Sequence, residues 1–177
     1  MRSVTTFNDG WLFEGKEAVT LPHTAVELPF AYFDETAYQR PFTYTKTFAV
    51  DPAWTGKEVA LVFDGAMANA KVSLNGAEIA AHKDGYTPFE ARLTGKLQAG
   101  QTILTVVIDG AENPAIPPFG GQIDYLTYAG LYRDVWLRVT APVSIGSVKI
   151  ETPDALATKK SVRARVDLSN PANVPIT

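Results

Sequence analysis

Ile123-Asp124-Tyr125-Leu126-Thr127-Tyr128-Ala129-Gly130-Leu131-Tyr132-Arg133-Asp134-Val135-Trp136-Leu137 is the stretch in which a loop turns into a strand. Upstream, from Asp109 to Gly130, Pro114, Pro117 and Pro118 are mixed with Gly110, Gly120 and Gly121, and no period is visible. A connection of that length inside a compact domain is uncommon and is usually functional or disordered. Ile116, Phe119, Ile123, Tyr125, Leu126 and Tyr128 make this one too apolar for a disordered linker. The reading is an ordered loop presenting one carboxylate, Asp124, to a buried environment or a ligand. Downstream the period is two. Leu131, Val135, Leu137 and Val139 face one way, and Tyr132, Asp134, Trp136 and Arg138 the other. Arg133 falls in the apolar row, so burying that face requires a carboxylate or carbonyl partner for it.

The same period recurs outward from this stretch. Phe42, Tyr44, Phe48 and Val50 share a face with Lys46, opposite Thr43, Thr45 and Thr47. Glu58 to Phe63 is apolar on both faces, and Ile103 to Ile108 reads as a buried strand opened by Gly100. Lys71 to Leu74 alternates, meets Asn75-Gly76 and resumes at Glu78-Ile79; Asn-Gly between alternating segments is a strong hairpin signal, since both residues tolerate positive φ. Phe89 to Leu97 reads as a short strand plus a turn. The N-terminus is a short polar lead before the aromatic patch Trp11-Leu12-Phe13, which Gly15 closes. Residues 25–41 are irregular and aromatic. Nowhere do apolar residues recur at helical spacing for three turns. Short strands punctuated by Gly and Pro predict an all-β sandwich.

Ala141-Pro142 marks a domain boundary, giving domains of residues 1–141 and 142–177. Beyond it, Val148-Lys149-Ile150 is one strand. Val162 to Leu168 is a second, with Val162, Ala164, Val166 and Leu168 opposite Arg163, Arg165 and Asp167. Two strands cannot bury their apolar face alone. The expectation is therefore a piece of a longer protein, cut inside its second domain.

Composition narrows the function classes. The chain has 177 residues, 46% hydrophobic and 20% charged, with a net charge of −3 and no cysteine. Those proportions suit an ordinary globular protein with a full core. Without a Lys/Arg cluster, nucleic acid and anionic membrane are not expected partners. The absence of cysteine excludes disulfides and thiolate metal sites. No signal peptide or membrane-spanning run is visible, so a cytoplasmic location is the default.

The residues offer no catalytic centre of their own. His23 and His82 lack metal-ligand spacing to any other candidate ligand, and neither Gly-x-Ser-x-Gly nor a phosphate- or dinucleotide-binding glycine motif occurs. His23, between Pro22 and Thr24, reads as a turn histidine bonding nearby backbone. A retaining glycosidase needs two carboxyls about 5–5.5 Å apart. Asp34 and Glu35 are adjacent in a loop and should diverge into solvent. Asp134 reads as half of a structural ion pair with Arg133 or Arg138.

Trp11-Leu12-Phe13, Leu21-Pro22-His23-Thr24, Tyr44-x-Lys46-x-Phe48, Leu74-Asn75-Gly76, Gly85-Tyr86-Thr87-Pro88-Phe89 and Tyr128-Ala129-Gly130-Leu131-Tyr132-Arg133-Asp134-Val135 occur in that order. Together they resemble the N-terminal sugar-binding domain of glycoside hydrolase family 2, the β-galactosidase and β-glucuronidase family, over residues 7–140. Residues 141–177 resemble the start of that family's immunoglobulin-like second domain. The resemblance implies a jelly-roll (galactose-binding-like) sandwich followed by the first strands of an immunoglobulin-like sandwich. It implies a parent enzyme, a glycoside hydrolase that cleaves β-glycosides with retention through two glutamates on a (β/α)₈ barrel. This chain has no Asn-Glu dipeptide, so the family's acid/base motif has no counterpart and the fragment should be inactive. Implied partners are the β-glycoside, the missing barrel and immunoglobulin-like domains, and further copies in a homo-oligomer.

The resemblance also gives Asp124 a role. In family members the matching aspartate reaches into the barrel's active site and contacts the sugar's hydroxyls, in some galactosidases also holding a sodium ion. Asp124 is thus a substrate-binding residue and not a catalytic one, and no catalytic or metal-binding residue is assigned. No cofactor is expected in the fragment, while the intact enzyme could use a monovalent or divalent cation. Two other readings compete. In a free-standing carbohydrate-binding module, Tyr32, Tyr38, Phe119, Tyr125 or Tyr128 would stack on sugar rings. A purely structural sandwich would support a barrel and hold subunits together.

Overall fold

The computed structural model describes residues 2–31, 34–116, 125–171, 173 and 175. Its strands are β1 (Ser3–Thr6), β2 (Trp11–Phe13), β3 (Glu17–Val19), β4 (Pro41–Ala49), β5 (Glu58–Phe63) and β6 (Asn69–Leu74). They continue as β7 (Ala77–Lys83), β8 (Phe89–Arg92), β9 (Gln101–Asp109), β10 (Val135–Thr140), β11 (Ser144–Glu151) and β12 (Arg163–Ser169). Two 3-10 turns are the only helices among the described residues, and no helix there is long and apolar enough to cross a membrane.

The protein is an all-β sandwich. A six-stranded sheet runs β3-β2-β4-β9-β6-β7 and a four-stranded sheet β1-β10-β5-β8, each with antiparallel neighbours. Period-two writing puts one side chain in two into the space between them. Phe42, Tyr44, Val72, Leu104, Val106 and Ile108 come from the larger sheet, and Leu61, Phe63, Ala91, Val135 and Leu137 from the smaller. Each large apolar side chain fully buried there contributes about 1.5–3 kcal/mol.

The strands differ from the sequence expectation in two instructive places. Ile103 to Ile108 belongs to β9, where only alternate residues are buried and Ile103 is half exposed. The run looks doubly buried because Ile103, Thr105 and Val107 use β-formers on the outward face, where pairing with β4 and β6 still favours them. The polar lead is an edge strand. All four residues of β1 are exposed, and it is placed by backbone pairing with β10, which a hydrophobic pattern does not register. The Asn75-Gly76 hairpin forms between β6 and β7, with φ of 49° and 84°.

β11 and β12 form a separate two-stranded sheet. Their registers put Val148 opposite Val166 and Ile150 opposite Ala164, and Ile145, Val148, Ile150, Val166 and Leu168 are all at least half exposed. Local opening should therefore cost least here. In hydrogen exchange on the dilute chain, amides of β11 and β12 should exchange well before those of β5, which is paired on both sides. Equal protection in a monomer would contradict this.

The pairings fix where the connections emerge. Pro41 and Asn69 both pair with Asp109, Lys83 pairs with Asn69, and Phe63 pairs with both Phe89 and Val135. β5, β7 and β9 therefore all end at one end of the sandwich, each followed by a connection to the other sheet, and β4 begins at that same end.

Candidate functional site at the loop-bearing end

The long loop is stitched back to the sandwich before it enters β10. Met67 and Gly130 exchange backbone hydrogen bonds of 3.0 and 3.2 Å, His23 N donates to Leu131 O and Ala25 N to Ala129 O. Tyr128, Ala129 and Gly130 take φ of 59°, 54° and 116° in succession. At Gly130 a Cβ would lie 2.7 Å from His23 O, 2.8 Å from Ala25 N and 2.9 Å from Tyr44 Oη. Only glycine lets the two backbones meet there.

Arg133 secures the adjacent turn. Its Nη1 donates to Tyr86 O at 2.7 Å and to Asp64 O at 3.3 Å, so the partners required by the apolar row are carbonyls. Gly65 makes room, since a Cβ there would approach Arg133 Cδ to 2.9 Å. Tyr132 Oη donates to Gly85 O. Asp84 closes the turn from within, accepting from Tyr86 N at 2.7 Å and Thr87 Oγ1 at 2.8 Å. The bond from the Tyr86 amide is the main reason the Asp84 carboxyl sits below its ordinary range. At the rim, the Tyr86 and Tyr125 hydroxyls hydrogen-bond to each other. Burial first, and then the bond with Tyr125, pushes the Tyr86 phenol above its ordinary range; burial does the same for Tyr132. Both phenols therefore stay neutral near pH 7 and serve as hydrogen-bonding groups.

Two of the candidate roles are corrected by the geometry. Asp134 is in no ion pair with Arg133 or Arg138. Its Oδ1 accepts from Asn8 Nδ2 at 2.7 Å, while Arg138 pairs with Glu90 across the sheet. Asn8 comes from the polar lead, 126 positions away, and its Oδ1 accepts from Val135 N. The His23 ring bonds a distant side chain and not nearby backbone. Its Nδ1 shares a 2.9 Å hydrogen bond with Tyr44 Oη, and its ring lies 4.9 Å from that of Phe13. Burial lowers its pKa, against the opposing effects of Glu17 and Glu27.

The remaining candidates separate by position. Asp34 is exposed and caps the 3-10 turn Glu35–Tyr38 through Thr36 N and Thr36 Oγ1. His82 bonds Thr87 Oγ1 and stacks on Phe89. Among the described residues no three His, Asp or Glu side chains gather as metal ligands. Of the proposed aromatic platforms, Tyr38 is buried, Tyr128 is half-buried, and Tyr125 is 51% exposed. Asp124, Tyr32 and Phe119 lie outside the described residues. Asp84, Tyr86 and Asn8 were given no role from the sequence. Gly85-Tyr86-Thr87-Pro88 was visible as a turn, but nothing local says that its carbonyls receive Arg133 and Tyr132.

Residues 10–142 match the family of glycosyl hydrolases family 2, sugar binding domain. The chain belongs to that family. This sugar-binding domain is 50% identical over 184 residues to the β-galactosidase of Rhizobium meliloti, covering 97% of this chain and 24% of that protein. It is 39% identical over 186 residues to the β-galactosidase of Thermoanaerobacterium thermosulfurigenes, covering 96% of this chain and 26% of that one. The chain thus spans about a quarter of the length of these curated relatives. The β-glucuronidase crystal structure from Bacteroides uniformis superposes with a TM-score of 0.83 at 25% identity, over 96% of this chain and 22% of that chain.

Proposed function

We propose that this chain is the non-catalytic N-terminal part of a retaining β-glycosidase of the β-galactosidase type, and that it lends its long loop to the substrate site. Half identity to a β-galactosidase over nearly the whole chain is the observation that carries the reading. The convergence of the inter-sheet loops on one end supports it, because a scaffold that delivers a contact to a neighbouring domain concentrates its long loops on one side. Residues 1–141 form the sugar-binding domain, and residues 142–177 begin an immunoglobulin-like sandwich that the remainder of the enzyme completes. Asp124 is the substrate-binding residue: a carboxylate accepts hydrogen bonds from two adjacent sugar hydroxyls at once. A cation held near Asp124 would add to the sugar contact. The described residues supply no ligand set for one, and the reading does not depend on it.

The isolated 177-residue chain should show no turnover of nitrophenyl β-galactoside above a mock preparation, and calorimetry should detect no micromolar binding of free galactose. Turnover by the pure chain would overturn the division of labour. Micromolar affinity would favour a self-sufficient carbohydrate-binding module instead. Both results follow from a site whose carboxyl pair and most of whose sugar contacts belong to the barrel.

A further inference from the structure

Tyr125 joins two properties that a space-filling tyrosine does not combine. Its hydroxyl is bound to Tyr86 Oη, yet 51% of the residue remains exposed. Tyr38 and Tyr44, at the same end, are buried. At Tyr125 the polar tip is tied to the protein while about half of the side chain stays open at the rim.

The tie ends on firm ground. Tyr86 N is held by Asp84, Tyr86 O by Arg133, and the neighbouring Gly85 O by Tyr132. Arg133 and Tyr132 stand at the entry to β10, so the turn carrying Tyr86 is fastened to the core of the smaller sheet. An anchored ring has lost its freedom before a ligand arrives, which removes an ordering cost from binding. Tyrosine suits such a role, offering a large flat contact with few rotatable bonds. A pyranose is a matching ligand, because its C–H face is apolar and electropositive and an aromatic face is electron-rich.

We infer that Tyr125 is a sugar-contacting residue, its ring packing against the C–H face of a pyranose bound at this end, with Tyr86 as the positioning residue that fixes the ring. The inference rests on the reading that this end faces the substrate site. It concerns a different contact from that of Asp124, one made to the carbon skeleton of the sugar and not to its hydroxyls.

Steady-state kinetics of the full-length enzyme on nitrophenyl β-galactoside test it. The variants are Tyr125→Ala, Tyr125→Phe, Tyr86→Phe and the Tyr125→Ala/Tyr86→Phe double, with Asp124→Ala alongside. Tyr125→Ala should raise KM roughly 5- to 50-fold and leave kcat within about twofold, because a ring face contacts ground state and transition state alike. Tyr125→Phe keeps the face and loses the anchor, so its KM should rise only about two- to fivefold, matched by Tyr86→Phe. In the Tyr125→Ala background, Tyr86→Phe should add nothing, since residues acting through one contact are not additive. An unchanged KM in Tyr125→Ala overturns the inference, as does a Tyr86→Phe effect that persists without the Tyr125 ring. An impaired Asp124→Ala beside a normal Tyr125→Ala removes the Tyr125 contact alone. The reverse result removes the Asp124 role and leaves the Tyr125 contact standing.

Discussion

Asp124→Ala in the full-length enzyme should lower kcat/KM by roughly ten- to more than a hundredfold, the loss of a charge-assisted contact worth about 1.5–3 kcal/mol. The expectation starts from chemistry. Asp124 lies between Ile123 and Tyr125 in an apolar loop, a setting in which an unpartnered carboxylate is costly. On the proposed substrate-binding role, its removal takes away the partner of the sugar hydroxyls and should leave the fold untouched. Asp124→Asn separates charge from shape: it keeps one acceptor oxygen and should recover part of the loss. If kcat/KM stays at the wild-type value in Asp124→Ala with an intact melting profile, the residue is a turn aspartate and the loop's contribution must come from elsewhere.

Gly130→Ala should be strongly destabilising. Two effects add. The residue sits at φ +116°, where a side chain costs about 1–3 kcal/mol. The new methyl would also meet three groups closer than 3.0 Å, two of them backbone atoms that cannot step aside. Overpacking of that kind costs about 1–3 kcal/mol more. A loss of about 2–6 kcal/mol corresponds to a fall in Tm of roughly 5–20 °C for a chain of this size. Gly76→Ala is the internal comparison. It has φ +84° and open space around it, so it carries the backbone cost alone. Thermal melts of the two variants should differ clearly. Equal melts would mean that the close approach at Gly130 is relieved cheaply.

Gly130 also bears on how the loop returns to the sandwich. Gly130 brings Met67 and the 23–25 segment onto the loop's return, and Arg133 then reaches the carbonyls of Tyr86 and Asp64. The loop's exit is thus defined by three separate parts of the chain.

The sequence by itself determined the strands that bury one face, the Asn75-Gly76 hairpin and the long apolar loop. These are consequences of local rules: alternation, turn chemistry and composition act over a few residues and leave a direct trace. It also determined that Arg133, written into an apolar row, needed a partner. Which partner it takes was decided only by tertiary structure, because the carbonyls of Asp64 and Tyr86 are 69 and 47 positions away and any backbone would have served. The same holds for Asn8 on Asp134 and His23 on Tyr44, pairs made only when segments far apart in the chain are brought together. Edge strand β1 was invisible for a related reason: it is held by backbone hydrogen bonds to β10, and a backbone has the same hydrogen-bonding groups at nearly every residue. The hydroxyl pairing of Tyr86 with Tyr125 belongs to that second class, since it exists only where two connections between the sheets meet at one end of the sandwich.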